Sequence, residues 1–483
     1  MSDRSSDARK WDLTSSIAAS LDSHHMFPIL DFVEKTMVEE YSAYDAKTVA
    51  AARLELLKPT NMVDYAVDIY QKVTGDKKEP AEFSDKRKSV IASLNELTER
   101  AKPFLELVES SDRRAELIKS GAWTVEGLSK CGVSADAIEN YRKLGKFQYE
   151  CGDYEKSNDM MDNYLSLFID QSSANFSDTS ANAGEASADT VSTYKANSST
   201  TATLHSVLWG KLSCLILMGK YDEATVALTS VKNSIDARAS SSAVEGLTAL
   251  QALKERTWLL HWGLFVFWNN NKRGLDAIID LFMTEENMQA IQTNAPHLLR
   301  YLASAIIINK RKRPHLKDLV KFIQYCNYAD PIIQFVDCLH VKFDFEGAQE
   351  KLKACETVLA TDFFLHLQTK LFMEEARIFI FENYCRIHQK IDINTLSEKL
   401  SMEPSEAERW IVNLIRNASL DAKIDSTENC VIMGHSTHSV YQQVINKTKD
   451  LMSRSNYLAG SLKNAVNDMK NERDNREAAT GEA

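Results

Sequence analysis

Between Glu374 and Gly434 the spacing of apolar residues changes from a helical period to a period of two, and few compact arrangements accept that order. Ile380, Tyr384, Ile387 and Ile391 recur at steps of four, three and four, which places them on one face of a first helix. Asn394 is a good N-cap for a second, short helix carrying Leu396 and Leu400 on one side. Pro404 opens a third, with Glu403, Glu406 and Glu408 near the positive end of its dipole. Its stripe of Ala407, Trp410, Ile411, Leu414, Ile415 and Ala418 has the spacing of a buried helical face, so Trp410, Ile411, Leu414 and Ile415 are its expected core. Leu420, Ala422 and Ile424 then alternate with Asp421, Lys423 and Asp425, and Ser426 to Asn429 turn the chain into Cys430 to Met433.

Three helices followed by a two-stranded hairpin make a winged helix, expected over residues 374–436. Winged helices commonly read DNA with the third helix, but here that helix and the strand after it are rich in carboxylates. Phosphate binding needs lysines and arginines gathered on one face. The expected use is a protein contact, with the hairpin edge at Leu420, Ala422, Ile424, Val431 and Met433 offering backbone groups to a partner strand.

Upstream, the chain reads as helix after helix. Only 16 glycines and 8 prolines interrupt 483 residues, and the length suits a continuous core shared by several units. Short helices are expected within Leu13 to Phe32 and Val63 to Tyr70, and a charged one over Arg87 to Leu107, broken or kinked near Pro103. Gly152-Asp153-Tyr154-Glu155, Gly219-Lys220-Tyr221-Asp222 and Phe343-Asp344-Phe345-Glu346 form a degenerate repeat, each between two amphipathic segments. The fold class is therefore mainly α: a right-handed helical-repeat solenoid of tetratricopeptide or HEAT type, ending in a winged helix with a small β-hairpin. The expected divisions are an N-terminal helical region over 1–136, helical repeats over 137–373, the winged helix, a C-terminal helix over 437–470 and a disordered tail over 471–483.

Gln171 to Thr203 is built from Ser, Thr, Ala, Asn, Asp and Gly and is expected to be a disordered insertion at a hairpin tip. Arg256 to Trp268 is apolar all round and is expected at the centre of the solenoid, too short to span a membrane. Val444, Leu451, Leu458, Leu462 and Met469 form a seam on the C-terminal helix suited to bundling with partner helices.

Little in the chain points to catalysis. Nucleotide-binding, zinc-protease and nucleophile-elbow motifs are absent, and the eight scattered cysteines lack zinc or redox spacing, so no enzyme, cofactor or metal is expected. Asn-x-Ser/Thr sequons read as chance, and His24, His25, His435 and His438 as surface and turn residues. The net charge of -11 argues against a whole-protein nucleic-acid sleeve, leaving Lys310, Arg311, Lys312 and Arg313 as the candidate RNA contact or import signal, with a solvated inter-helix turn as the alternative reading.

Helical repeats, a winged helix and a closing helix resemble the PCI module of the proteasome lid, the signalosome and translation initiation factor 3. The strings go further. Asn61-Met62-Val63-Asp64-Tyr65-Ala66, Lys146-Phe147-Gln148-Tyr149-Glu150-Cys151-Gly152, Arg256-Thr257-Trp258-Leu259-Leu260-His261-Trp262, Pro296-His297-Leu298-Leu299-Arg300-Tyr301-Leu302 and Glu406-Ala407-Glu408-Arg409-Trp410-Ile411 resemble the E-subunit family of eukaryotic translation initiation factor 3. The resemblance implies a cytoplasmic, non-catalytic scaffold with a minor nuclear pool and no membrane contact. Its implied partners are the PCI and MPN subunits of that factor, the small ribosomal subunit, mRNA and the cap-complex scaffold factor. It also implies edge-to-edge joining of winged helices and bundling of C-terminal helices. A lid or signalosome subunit is the alternative, and a DNA-binding regulator a more distant one. The insertion and the stretch from Glu109 to Ser134 depart from the family pattern.

Overall fold

The computed structural model describes residues 6, 8–75, 80–168, 198–240, 247–269, 271–326, 328–388, 390–392, 409, 412, 422–425, 430–433, 441, 444–445 and 447–463. They fall into two compact units, Met1–Phe381 and Glu382–Ala483.

The first unit begins with α1 (Thr14–Ala18), a tight turn at Ser23–His25, α2 (Met26–Val33), α3 (Ala46–Leu57) and α4 (Val63–Thr74). Phe27, Leu57, Ala66 and Ile69 form their shared core. There follow α5 (Ala81–Glu109), α6 (Ser111–Lys119), α7 (Val125–Lys130), α8 (Ala135–Cys151), α9 (Tyr154–Ser166) and α10 (Ser198–Leu217). The series continues with α11 (Tyr221–Ser240), α12 (Ala249–Asn269), α13 (Asn271–Phe282), α14 (Glu285–Asn294) and α15 (Leu299–Ile308). It closes with α16 (Leu316–Tyr325), α17 (Pro331–Asp337), α18 (Phe345–Thr361) and α19 (Thr369–Ile387). From α8 to α13 each helix packs on the next, as a helical-repeat solenoid requires.

The repeated signature falls at the junctions between helices. Gly152 at φ 92° ends α8 and Tyr154 opens α9; Gly219 at φ 74° follows α10 and Tyr221 opens α11; Phe343 at φ 54° precedes Phe345, which opens α18. A left-handed residue reverses the chain at each place, natural for glycine and costing about 1 kcal/mol for phenylalanine. Asp153 and Asp344 then cap the new helices by accepting the N–H groups of Lys156 and Gly347 at 3.2 and 3.0 Å.

Two sequence expectations change here. No break occurs at Pro103: α5 is one helix of 29 residues. Ala101 and Phe104, on either side of the proline, are fully buried, and packing along α8 outweighs the lost hydrogen bond. The insertion also ends earlier than Thr203, because Ser198 already belongs to α10; residues 171–197 lie outside those described. The expectation for Arg256 to Trp268 is met, with Leu259, Leu260, Leu264 and Val266 within 1% of complete burial in α12.

At the centre of this unit Arg300 lies in α15, a helix whose ten residues are all buried. Its Nε donates to Asp330 Oδ2 at 2.6 Å, Nη1 to Asp362 Oδ2 at 3.1 Å and Nη2 to the carbonyl of Trp11 at 2.8 Å. Tyr301 donates to the same Asp362 oxygen at 3.0 Å. Burial works against the Arg300 charge, but Asp330 and Asp362 outweigh it and hold its pKa above the usual arginine value. Asp330 also caps α17 through Ile332 N–H, and Asp362 accepts from Phe364 N–H, so the arginine ties α15 to the start of α17 and the end of α18.

The second unit contains a sheet of β1 (Lys390–Asp392), β2 (Ala422–Asp425) and β3 (Cys430–Met433), in the order β1-β3-β2 and antiparallel throughout. Ile391, Val431 and Ile424 align across the three strands. Ile391 therefore belongs to a strand and not to the helix of Ile380, Tyr384 and Ile387. One isoleucine between two polar residues satisfies either period, and α19 has its last bond from His388 N–H to Tyr384 carbonyl. The unit boundary falls after Phe381, inside α19, whereas Glu374 was expected to open the winged helix. Phe372, Ala376, Phe379, Ile380 and Phe381 are buried, which makes this part of α19 the closing helix of the first unit. Trp410, Ile411, Leu414 and Ile415, the expected winged-helix core, lie outside the described residues, as do residues 464–483.

Removing the buried arginine leaves two carboxylates without a counter-charge. Arg300→Met is expected to cost about 3–5 kcal/mol, read as a lower urea midpoint of the full-length chain. An unchanged midpoint would show that Asp330 and Asp362 do not need it.

Candidate functional site

Of the expected partner surfaces, the strand edge takes a different form from the hairpin read in the sequence. β3 is central and paired on both sides, so Val431 and Met433 are not edge residues, and Val431 is fully buried. The third strand β1, hidden in the sequence by its short length, covers that side. Among the described residues β2 has one neighbouring strand, so Ala422 and Ile424 are on an edge; Leu420 is outside the described set.

Four of the five residues of the expected seam are exposed on the C-terminal helix. Residues 447–463 are helical without interruption, and Val444, Leu451, Leu458 and Leu462 are 56, 64, 61 and 66% exposed. Ile445 and Met452, one residue further along, widen the stripe and are also exposed. Met469 lies outside the described residues. Such a stripe has the spacing of a coiled-coil face and buries nothing among the described residues.

The basic cluster is largely engaged within the fold. It forms a turn at Lys310–His315. Lys310 and Arg313 both pair with Glu375, at 3.1 and 3.3 Å, Lys312 reaches Asp280 at 2.5 Å, and the Arg313 guanidinium lies over the Phe379 ring. Only Arg311 has no carboxylate partner among the described residues. Lys310, Lys312 and Arg313 thus hold the turn against α13 and α19, which is a packing role for three of the four residues of the candidate RNA contact.

The residues that sequence reading missed lie where the N-terminal segment crosses the repeats. His24 and His25, expected at the surface, are 3% and 0% exposed. His25 Nε2 is 2.9 Å from Ser213 Oγ, Ser213 Oγ is 2.7 Å from Tyr149 Oη, and Tyr149 donates to Asp22 Oδ1 at 2.8 Å. Because Tyr149 donates to the carboxylate, the chain of donors runs from His25 through Ser213 and Tyr149 to Asp22. His24 Nδ1 meets Tyr154 Oη at 2.9 Å, and Trp262 Nε1 donates to the Ser20 carbonyl at 3.3 Å. The N-terminal segment is therefore tied to α8, α9, α10 and α12 by side chains, and to α15 by Arg300. Tyr154, the ring of the first repeat signature, is part of this tie.

Burial lowers the pKa of every histidine in these contacts. His25 is pushed down to about 4 and His24 also falls, Asp22 opposing the effect in both. His261 and His297, with Nε2 atoms 2.8 Å apart, fall to about 4 and about 3. His261 Nδ1 donates to the Thr257 carbonyl at 2.7 Å, leaving its Nε2 to accept from His297. That arrangement requires His261 to be neutral, and burial with the neighbouring His261 and Arg300 disfavours the charge on His297. Among the described residues no group of three His, Cys, Asp or Glu could hold a metal ion, and no helix is long and apolar enough to cross a membrane.

Comparison with known proteins matches three family models to successive parts of the chain. That of the eIF3 subunit 6 N terminal domain covers residues 12–148, the PCI domain covers 352–435, and the C-terminal model of the E subunit of eukaryotic translation initiation factor 3 covers 439–459. Among similar proteins, the E subunit of eukaryotic translation initiation factor 3 from Arabidopsis thaliana is 38% identical over 94% of this chain and 97% of its own. The protein of the same name from Bombyx mori is 40% identical over 93% of this chain and 94% of its own. The one from Culex quinquefasciatus is 38% identical over 93% and 94%.

The buried histidines make stability depend on acidity. Below pH about 6.5 the unfolded chain takes up protons that the folded rings refuse until about pH 4, so stability present at neutral pH is lost as the pH falls through that window. Each of His25, His261 and His297 is expected to contribute about 1 kcal/mol per pH unit. Thermal melts between pH 7 and 5 should show a falling midpoint, with a shallower slope in His297→Asn. A flat profile in the parent chain would contradict neutral burial.

Proposed function

From the premise that this chain belongs to the E-subunit family of eukaryotic translation initiation factor 3, we propose that it serves as a non-catalytic scaffold of that factor. The observation that carries the reading is the exposed stripe of Val444, Leu451, Leu458 and Leu462 on the C-terminal helix. Apolar side chains recurring at steps of seven and four share one helical face and gain most by packing against helices of neighbouring subunits. The strand edge at Ala422 and Ile424 is the second contact, with a PCI subunit pairing its own strand there.

In this reading the first unit supplies stiffness and the second supplies attachment. The partners are the PCI and MPN subunits of the factor, and through them the small ribosomal subunit, mRNA and the cap-complex scaffold factor. The contribution to mRNA recruitment and start-site selection is then positional, exerted in the cytoplasm with a minor nuclear pool. Of the basic cluster, only Arg311 is left for an RNA phosphate, and one exposed arginine gives weak, salt-sensitive binding.

The test is a double substitution on the stripe. Leu451→Asp with Leu458→Asp leaves buried residues untouched, so the melting midpoint should stay within about 1 °C while recovery of initiation-factor subunits with the tagged chain drops about tenfold or more. Recovery equal to the parent would refute attachment through this helix.

A further inference from the structure

A cavity of about 190 Å³ opens between the N-terminal segment and helices α8, α9, α10 and α12. Its wall is aromatic and held in place. Trp209 Nε1 donates to His205 Nε2 at 2.9 Å, and the ring stands edge-to-face on Trp262 at 4.6 Å. Trp262 in turn stands against His25 at 4.5 Å. Met161 completes the apolar lining beside Gly210, where a Cβ would come within 2.6 Å of the methionine methyl group. The hydroxyls of Tyr149 and Ser213 at the floor are already bonded to each other and to Asp22 and His25.

Size and charge decide what such a pocket accepts. Cofactors and drug-sized ligands occupy about 300–1,000 Å³, more than this cavity holds. One aromatic side chain fits, and a rigid aromatic wall is where such a side chain anchors an interface. Lys146 is 68% exposed at the lining, and its nearest carboxylate partner, Glu150, is 3.8 Å away. Arg142 binds Glu139 through Nε and one terminal nitrogen, leaving the other terminal nitrogen without a partner among the described residues. Asp22 is the one carboxylate in the lining, and its Oδ1 already accepts from Tyr149 and from the His24 N–H. The lining thus holds two cations and one occupied carboxylate in a chain whose net charge is -11.

We propose that this cavity is an anchor pocket for a single aromatic side chain carried on an acidic segment of a partner protein. The ring seats against Trp209, Trp262 and Met161, and the flanking carboxylate meets Lys146 and Arg142. The pocket lies in the first unit, distinct from the C-terminal helix and the strand edge, and stands or falls without them.

Saturation-transfer NMR on the full-length chain, with N-acetyl-phenylalanine, its neutral amide and phenethylamine as probes, tests the size and the sign of charge together. The anion should bind saturably and at least three times more tightly than the amide, with the amine weakest. Lys146→Glu, a change at an exposed side chain, should remove the anion's advantage, and Gly210→Leu should abolish binding of all three. Should Gly210→Leu not fold, the Lys146→Glu result decides alone. Absence of saturable binding, or tightest binding by phenethylamine, would overturn the proposal, the latter by showing an aromatic cage for cations built on Asp22.

Discussion

Arg300 sits in a helix whose ten residues are all buried, and each arm of its guanidinium finds an acceptor inside the protein. Three separate stretches of chain answer: Asp330 before α17, Asp362 after α18 and the backbone of Trp11. None can move without leaving a buried charge exposed to its own desolvation, which is the strongest penalty available in a protein interior. That single constraint fixes the later repeats and brings the first residues of the chain across them.

The same segment then continues along the earlier repeats. His25 reaches Ser213, His24 reaches Tyr154 and Trp262 holds Ser20, while Phe32 meets Phe363 edge-to-face and lies against His366 beyond the end of α18. A solenoid is normally held by contacts between neighbouring repeats, which makes it soft over long distances. A strap bonded to helices far apart in sequence adds long-range ties that neighbour packing lacks. For a subunit whose proposed work is to hold others in position, that stiffness links fold to function.

The helices were legible wherever an apolar face met solvent on the other side, as in α4, whose Val63, Ala66, Val67 and Ile69 are buried, and where a run was apolar all round, as in α12. The repeat signature was legible too, because a left-handed junction needs glycine or a tolerated substitute at Gly152, Gly219 and Phe343. Pro103 misled because local propensity is a small term beside the packing of Phe104 and Ala101. The short strand β1 was missed since Ile391 fits two periods at once, and with it the central place of β3. The histidine pair was misread for a different reason. Polar residues look exposed in a sequence, and their partners Tyr149, Tyr154 and Ser213 come from helices more than a hundred residues away. Arg300 did leave a trace, as a lone charge in an otherwise apolar stretch, which implies a buried partner without saying which. The basic run at Lys310 shows the converse: its charge was plain, while Glu375 and Asp280, which hold it, were not.

The strap is the claim on which this account rests, and amide hydrogen exchange of the full-length chain tests it without altering a residue. If residues 14–33 are bonded as described, their amides should exchange as slowly as those of α8, α12 and α15 and open with them as one cooperative unit. Exchange of residues 14–33 at the rate of an unprotected loop, while the solenoid helices stay protected, would show that the repeats hold themselves and that the strap does not stiffen them.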